Sequence, residues 1–292
     1  MRSKRDVLGL TGNAFTILRD LIHERTGLYY DDGKRDLLAD RLAPLVIEHG
    51  FDSFLDYYYL LKYNSYSSDE WQRVMDVLAV PETYFWREVD QIHALVNVLI
   101  PQYVDEGRPI PIRIWSAACS TGEEPLSIAI ALNEAGWFQK APIEIYGTDA
   151  SPLAIARAQH GLYRERSFRS LPLKLRLKYF EEKDGQWQIK PEIHARVRWG
   201  VANLMVESEI AHLATAPFIF CRNVFIYFSE EAIRKVVDQF YRHMPTPGYL
   251  FIGASESLVR LSTGFELQEI GGAFVYVKRD APQSERTQWS DH

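Results

Sequence analysis

Ile114-Trp-Ser-Ala-Ala-Cys-Ser-Thr-Gly-Glu-Glu-Pro125 is the stretch on which the reading of this chain turns. With the two residues before it, it begins as Ile112-Arg-Ile-Trp-Ser, a short apolar strand. It passes through a run of small residues (Ser116, Ala117, Ala118, Ser120, Gly122) and enters an apolar helix over Glu124–Ala135. In an open α/β sheet, ligands bind beyond the carboxyl ends of the strands, near the point where the strand order reverses. Small residues at such a turn let the backbone come close to a ligand. The stretch lacks the G-x-G-x-x-G spacing of a pyrophosphate cradle. Glu123 and Glu124 at the helix start would repel phosphate and suit a cationic or hydroxyl-rich ligand. The competing reading is a tight turn whose small residues serve packing.

Downstream, strand-like runs at Ile143–Gly147, Val197–Gly200, Phe218–Cys221 and Tyr249–Ile252 alternate with helical runs at Pro152–His160 and Glu230–His243. This alternation predicts an α/β fold with a parallel sheet and helices on both faces. Phe265–Glu269 and Phe274–Lys278, joined through Gly271-Gly272, predict an antiparallel hairpin at the sheet edge. Between Tyr163 and Arg196 the alternation breaks, and Asp184-Gly185 among apolar residues predicts a small β insertion. Upstream of Pro81 the pattern is helical. Thr11 caps a segment with Phe15, Leu18, Leu21 and Ile22 on one face, and Gly27 ends it. Lys34–His49 carries Leu38, Leu42 and Leu45, with Pro44 disfavouring its last turns. Further helices are expected to open at Asp52 and at Asp69, and another to run from about Val89 to Val104. The organisation expected is a helical N-terminal domain (1–80), a sheet domain (81–280, with the β subdomain at about 163–196) and a polar tail (281–292).

A net charge of −6 argues against a nucleic-acid partner, whose phosphates demand a basic surface. Two cysteines, Cys119 and Cys221, build no disulfide framework, and both read as small packing residues rather than nucleophiles. No signal peptide is read, and no apolar run reaches the roughly 20 residues that span a bilayer. A cytoplasmic protein without membrane insertion is expected.

Three further motifs hold polar groups at strand ends or junctions. Tyr146-Gly-Thr-Asp149 places a carboxylate where it can accept hydrogen bonds from ribose hydroxyls; the bland alternative is a helix N-cap, since Asp149 and Ser151 both precede a helix. Cys221-Arg-Asn-Val-Phe-Ile-Tyr-Phe228 puts Arg222 and Asn223 in an apolar run, where burial without partners is costly, and adds the phenol of Tyr227. Glu82-Thr-Tyr-Phe-Trp-Arg87 lies where the helical part meets the sheet, and Arg87 there also fits a plain interdomain salt bridge.

Taken in order, Trp115–Pro125, Phe220–Phe228 and Gly253-Ala-Ser-Glu-Ser-Leu258 closely resemble the chemotaxis-receptor methyltransferases, the CheR family, and the likeness runs over nearly the whole chain. The resemblance implies a Rossmann-like domain binding S-adenosylmethionine (SAM, giving S-adenosylhomocysteine as product), preceded by a helical domain and interrupted by a β subdomain. It implies that Thr83 and Arg87 contact the cofactor from the linker, Glu124 lies near its amino-acid portion, and Asp149 binds its ribose. Asn203 and Leu204 match the adenine side, Asn223 and Val224 the methionine side, and Arg87 and Tyr227 the place of reaction; no metal is implied. Two departures are visible. Pro81 stands where family members often carry Asn, and Ala216-Pro-Phe-Ile-Phe220 lacks an acidic residue common there.

The activity implied is methylation of glutamate side chains on the cytoplasmic domain of a chemoreceptor or similar signalling protein, with a monomeric enzyme expected. A basic docking face would draw on Arg19, His23, Arg25, Lys34, Arg35 and Arg41, although these are interleaved with acids. The short Glu181–Gln188 stretch points to docking without a tether. A SAM-sensing module without catalysis, or an O-methyltransferase for another substrate, are the alternatives. A nicotinamide dehydrogenase is disfavoured by the missing glycine fingerprint.

Overall fold

A computed structural model describes residues 8–64, 67–261 and 263–279. The predicted tail at 281–292 lies outside the described residues. Four helices come first: α1 (Gly12–Thr26), α2 (Arg35–Glu48), α3 (Phe54–Tyr63) and α4 (Ser67–Leu78). Thr11 caps α1, its hydroxyl accepting from Ala14 N, and Gly27 closes it in the left-handed region. Phe15, Leu18, Ile22, Leu38, Leu42, Tyr57 and Trp71 meet in one core.

Local chemistry corrects three of the expected boundaries. α3 opens on Ser53, whose hydroxyl accepts from Asp56 N, and not on Asp52. α4 starts at Ser67, so Asp69 and Glu70 sit inside its first turn, where the helix dipole favours negative charge. α2 continues through Pro44 to Glu48, because burial of Leu42, Ala43, Leu45 and Val46 outweighs one missing amide donor. The helix expected from Val89 is segmented: α5 (Val89–Ala94) passes through a π turn (Leu95–Leu99) into α6 (Ile100–Asp105).

The sheet then builds from β1 (Ile112–Ala117), α7 (Glu123–Glu134), a short α8 (Trp137–Lys140), β2 (Ile143–Asp149) and α9 (Pro152–His160). The inserted part holds β3 (Leu162–Tyr163), α10 (Leu173–Tyr179), β4 (Phe180–Lys183), β5 (Gln186–Ile189) and α11 (Pro191–His194). The main sheet resumes with β6 (Val197–Val201), α12 (Glu207–Ile210), β7 (Phe218–Phe220), α13 (Glu230–His243), β8 (Gly248–Phe251), β9 (Glu266–Ile270) and β10 (Ala273–Lys278). Seven strands lie in the order β6-β2-β1-β7-β8-β10-β9. The first five are parallel, and β10 and β9 form the predicted antiparallel edge hairpin. The insertion is a separate antiparallel sheet, β3-β5-β4, turned through Asp184-Gly185, both with positive φ as a tight hairpin requires.

One face of the main sheet packs on α5–α7 and the inserted sheet, and the other packs on α13 through Val236, Val237 and Phe240. The chain leaves β1 for β2 on one side and reaches β7 on the other, so the order reverses at β1. Register sets Ser116 beside Gly147 on one flank and Phe220 on the other. The loops after β1, β2 and β7 therefore open at the same end, and the site lies there. No helix among the described residues is long and apolar enough to cross a membrane.

Candidate functional site

The loop after β1 is wound tightly. Ala118 and Ser120 both have positive φ, unusual for residues with a Cβ and typical of segments whose conformation is held for function. Cys119 N donates to Thr148 O (2.8 Å), and Ser120 N donates to the Asp149 carboxylate (2.9 Å), fastening this loop to the end of β2. The two glutamates that follow part company. Glu123 turns inward, where the hydroxyls of Thr121 and Ser167 donate to it at 2.6 and 3.0 Å. Glu124 alone of the two faces the cavity, accepting from Ser116 Oγ (2.6 Å) and pairing with Arg222 (3.4 Å). Burial pushes both carboxyls above their ordinary range; Arg222 and Ser116 pull Glu124 back only in part.

Asp149 is not the helix cap. Ser151 caps α9, accepting from Ala154 N, so the Asp149 carboxylate bridges Ser120 N and Ser151 N across two loops. Burial raises its pKa against the pull of these amides. A carboxylate has about four acceptor positions, and the two amides use half of them.

The linker from the helical part is pinned by Phe85, which is fully buried and meets Tyr163, Phe180 and Phe168 at ring distances of 4.8–5.2 Å. Phe85 N donates to Ser167 O and Trp86 N to Ser127 Oγ, so Thr83 and Arg87 sit on a fixed ledge. Arg87 donates to Glu82 O (3.0 Å) and lies over the Tyr84 ring; it makes no salt bridge to the helical part among the described residues. The predicted interdomain role falls instead to other groups. Tyr29 N donates to Tyr227 O (2.9 Å), His23 meets Ser229 Oγ (2.7 Å), Asn203 donates to Arg25 O (2.8 Å), and Asp76 accepts from Leu153 N (3.0 Å).

Arg222 is the buried centre of the β7 loop, its side chain 2% exposed. It donates to Arg87 O (2.6 Å) and pairs with Glu88 (3.2 Å) and Glu124. Its Nε has no partner within the protein among the described residues. Asn223, with φ +59°, donates weakly to Glu88 (3.4 Å). Glu88 and Glu256 were not singled out from sequence. The signal for Glu256 was its place in Gly253-Ala-Ser-Glu-Ser-Leu258; Glu88 had none.

These elements enclose an open cavity of about 280 Å³. Thr83, Arg87, Glu124, Asp149, Asn203, Leu204, Asn223, Val224 and Tyr227 all line it, although they come from five separate segments. Pro81 lines it too, and the helical part contributes Thr26, Leu28, Met75 and Asp76. Cys119 also borders the cavity, but burial pushes its thiol and that of Cys221 well above their usual range, so neither is a thiolate at neutral pH. Among the described residues no cluster of His, Cys, Asp and Glu could hold a metal ion.

An open, mostly parallel sheet with a carboxylate-lined cavity over its switch point defines the Rossmann-like class of ligand-binding α/β proteins. Residues 13–79 match the model of the CheR methyltransferase all-alpha domain, and residues 81–272 that of the CheR methyltransferase SAM binding domain. The chain belongs to the CheR methyltransferase family and is a SAM-dependent methyltransferase. It is 34% identical over 272 residues to chemotaxis protein methyltransferase 2 of Vibrio cholerae, covering 92% of this chain and 94% of that relative. To chemotaxis protein methyltransferase 1 of Pseudomonas aeruginosa it is 30% identical over 271 residues, covering 90% and 96%. A third relative, named "Probable biofilm formation methyltransferase WspC" in Pseudomonas putida, is 29% identical over 259 residues, covering 89% of this chain and 60% of the relative. The residues present fit SAM: Asp149 retains acceptor capacity for a diol, Glu124 offers negative charge to a cationic group, and the Arg222 Nε is a buried donor still without a partner.

Proposed function

We infer that this protein methylates glutamate side chains on chemoreceptor-type signalling proteins, forming methyl esters by direct in-line transfer. The observation that carries the reading is the division of charge along the cavity wall. Glu124 is enclosed (side chain 15% exposed), whereas Arg87 and Tyr227, the donors, are 25% and 37% exposed. An incoming carboxylate therefore meets a guanidinium and a phenol at the open side, with Glu124 farther in; the strongly exposed Glu82 carboxylate of the wall is paired with Arg169 (2.6 Å).

In this reading Asp149 receives the ribose hydroxyls, Glu124 faces the amino-acid portion, and Asn203 with Leu204 borders the adenine. Thr83, Asn223 and Val224 border the rest of the cofactor. The cofactor supplies a methyl group already activated on a sulfonium. An acceptor carboxylate is ionised at neutral pH, its ordinary pKa being about 4.3, so no general base is needed. The protein's part is alignment and exclusion of water. Arg87 and the Tyr227 hydroxyl donate to the acceptor carboxylate and aim one oxygen along the transfer axis. Both are fixed from behind, Arg87 through Glu82 O and its own carbonyl held by Arg222, Tyr227 through its carbonyl held by Tyr29 N. The partner is the cytoplasmic domain of a receptor of this type; the relatives' names leave both chemotaxis and biofilm formation as the pathway served.

The test is transfer from methyl-radiolabelled SAM to purified chemoreceptor cytoplasmic fragments. Esters release their label as volatile methanol in alkali, and Arg87→Ala is expected to lower turnover about a hundredfold through misalignment. Tyr227→Phe should cost about tenfold for one lost charged hydrogen bond. Alkali-stable label, or undiminished turnover by Arg87→Ala, would refute the assignment.

A further inference from the structure

The segment Asn223–Tyr227 has no regular secondary structure beyond one 3-10 turn over Phe225–Tyr227. Its shape is set by a residue from another loop. β7 and β8 are parallel neighbours, so the loops after them leave the sheet side by side. From the second of these, Glu256 reaches across and both of its oxygens are used. Oε2 accepts from Asn223 N (2.8 Å) and Gly253 N (2.6 Å); Oε1 accepts from Phe225 N (2.7 Å) and Ile226 N (3.3 Å). Four main-chain amides thus converge on one internal carboxylate, the arrangement by which backbone nests hold anions. Asn223 itself takes the left-handed conformation (φ +59°) as the chain winds around this carboxylate. A Cβ at position 253 would stand 2.9 Å from Asn223 N, so the close approach requires glycine there.

We propose that Glu256 is a positioning residue for methyl transfer: its carboxylate serves as the internal anion around which the loop carrying Asn223, Val224 and Tyr227 is wound. This rests on the reading above that those side chains face the cofactor and the acceptor. Glu256 itself is not among the residues lining the cavity, so it acts only through the loop. The geometry also says which substitutions are informative. Glutamine has nearly the same shape but offers one acceptor oxygen and one NH₂. In either orientation the NH₂ faces two amide donors, so two hydrogen bonds become repulsive contacts. Aspartate keeps the charge but is one methylene short and serves one pair of amides.

The experiment compares wild type, Glu256→Gln, Glu256→Asp and Asn223→Ala, each below its melting transition. S-adenosylhomocysteine binding, kcat, acceptor KM and amide hydrogen exchange are measured. For Glu256→Gln we expect kcat to fall at least about tenfold, as loss of charged hydrogen bonds implies. Acceptor KM should change less than about threefold, since docking outside the loop is intact. Exchange should quicken at residues 223–226 and stay unchanged in β1 and β2. Glu256→Asp should fall between wild type and Gln, and it carries the test if Gln does not fold. A folded Gln or Asp variant with wild-type kcat, lowered only in melting temperature, would make Glu256 a purely structural anchor and overturn the proposal. Asn223→Ala with unaltered cofactor affinity and turnover would instead remove Asn223 from the site, and the exchange result at Glu256 would stand apart from that failure.

Discussion

Gly27→Ala is the substitution that most directly tests how the helical part is seated on the loop after β7. Gly27 ends α1 with φ +76°, and a Cβ there would lie 2.6 Å from Cε2 of Phe228 and 2.9 Å from two other ring atoms. Two costs follow. An L-residue in the left-handed region loses about 1–2 kcal/mol. The ring must also move by about 1 Å to restore an ordinary contact, and overpacking of this kind costs about 1–3 kcal/mol. Together they amount to about 2–5 kcal/mol, a large share of a typical domain's stability. Gly50 separates the two, because it has φ +73° and nothing within 4 Å of the added carbon. Gly50→Ala should cost only the conformational part, about 1–2 kcal/mol. Phe228 follows Tyr227 and bridges to Leu28, so ring displacement should also lower turnover in Gly27→Ala and leave it unchanged in Gly50→Ala. Urea unfolding and methyl-transfer assays on the pair decide the matter. Equal destabilisation of the two variants, or full turnover by Gly27→Ala, would show that the helical part does not bear on the loop through this contact.

Asp149→Ala is expected to weaken SAM and S-adenosylhomocysteine binding at least about tenfold in titration calorimetry, since it removes the acceptor proposed for the ribose; unchanged affinity would discard that role. Arg222→Met should destabilise the fold by about 3–5 kcal/mol, because it leaves Glu88 and the buried Glu124 uncompensated; a shift in unfolding midpoint near zero would contradict the network. Glu70 gives a pH signature. Burial opposes its ionisation, but hydrogen bonds from Tyr57 and His49 and the charge of Arg73 outweigh it, and the carboxyl is held below its usual range. A lowered pKa in the folded state stabilises above the unfolded value, about 4.3, and the gain is lost as pH falls through the folded value. The stability gap between wild type and Glu70→Gln should therefore be full at pH 7 and close in acid; a gap constant from pH 7 to pH 3 would exclude the charge interactions as its source.

The periodicity of strands and helices was legible because each element carries its own pattern: Ile143–Asp149, Pro152–His160 and Glu230–His243 fell within two residues of expectation. Caps were less legible. Asp52 and Ser53 are both competent capping residues, and the choice between them depends on where the helix axis is drawn by Phe54 and Tyr57 entering the core. The segmentation at Leu95–Leu99 left no mark in the apolar pattern, since a π turn changes the phase of a helix without changing which residues are apolar.

The sequence by itself determined the α/β architecture, the edge hairpin, the inserted β unit and the family, because strand–helix alternation and long ordered motifs are local properties of the chain. It also nominated Arg87, Glu124, Asp149, Asn223 and Tyr227. Only the tertiary structure decided that Glu123 turns away from the cavity while Glu124 faces it, since neighbouring positions on a helix diverge by about 100° and only packing fixes the phase. It alone revealed that Ser151 caps α9 and frees Asp149, and that Gly27 seats Phe228. It brought Glu88, from the linker, and Glu256, through the parallel pairing of β7 with β8, onto the loop after β7, contacts between residues far apart in the chain that no local pattern records.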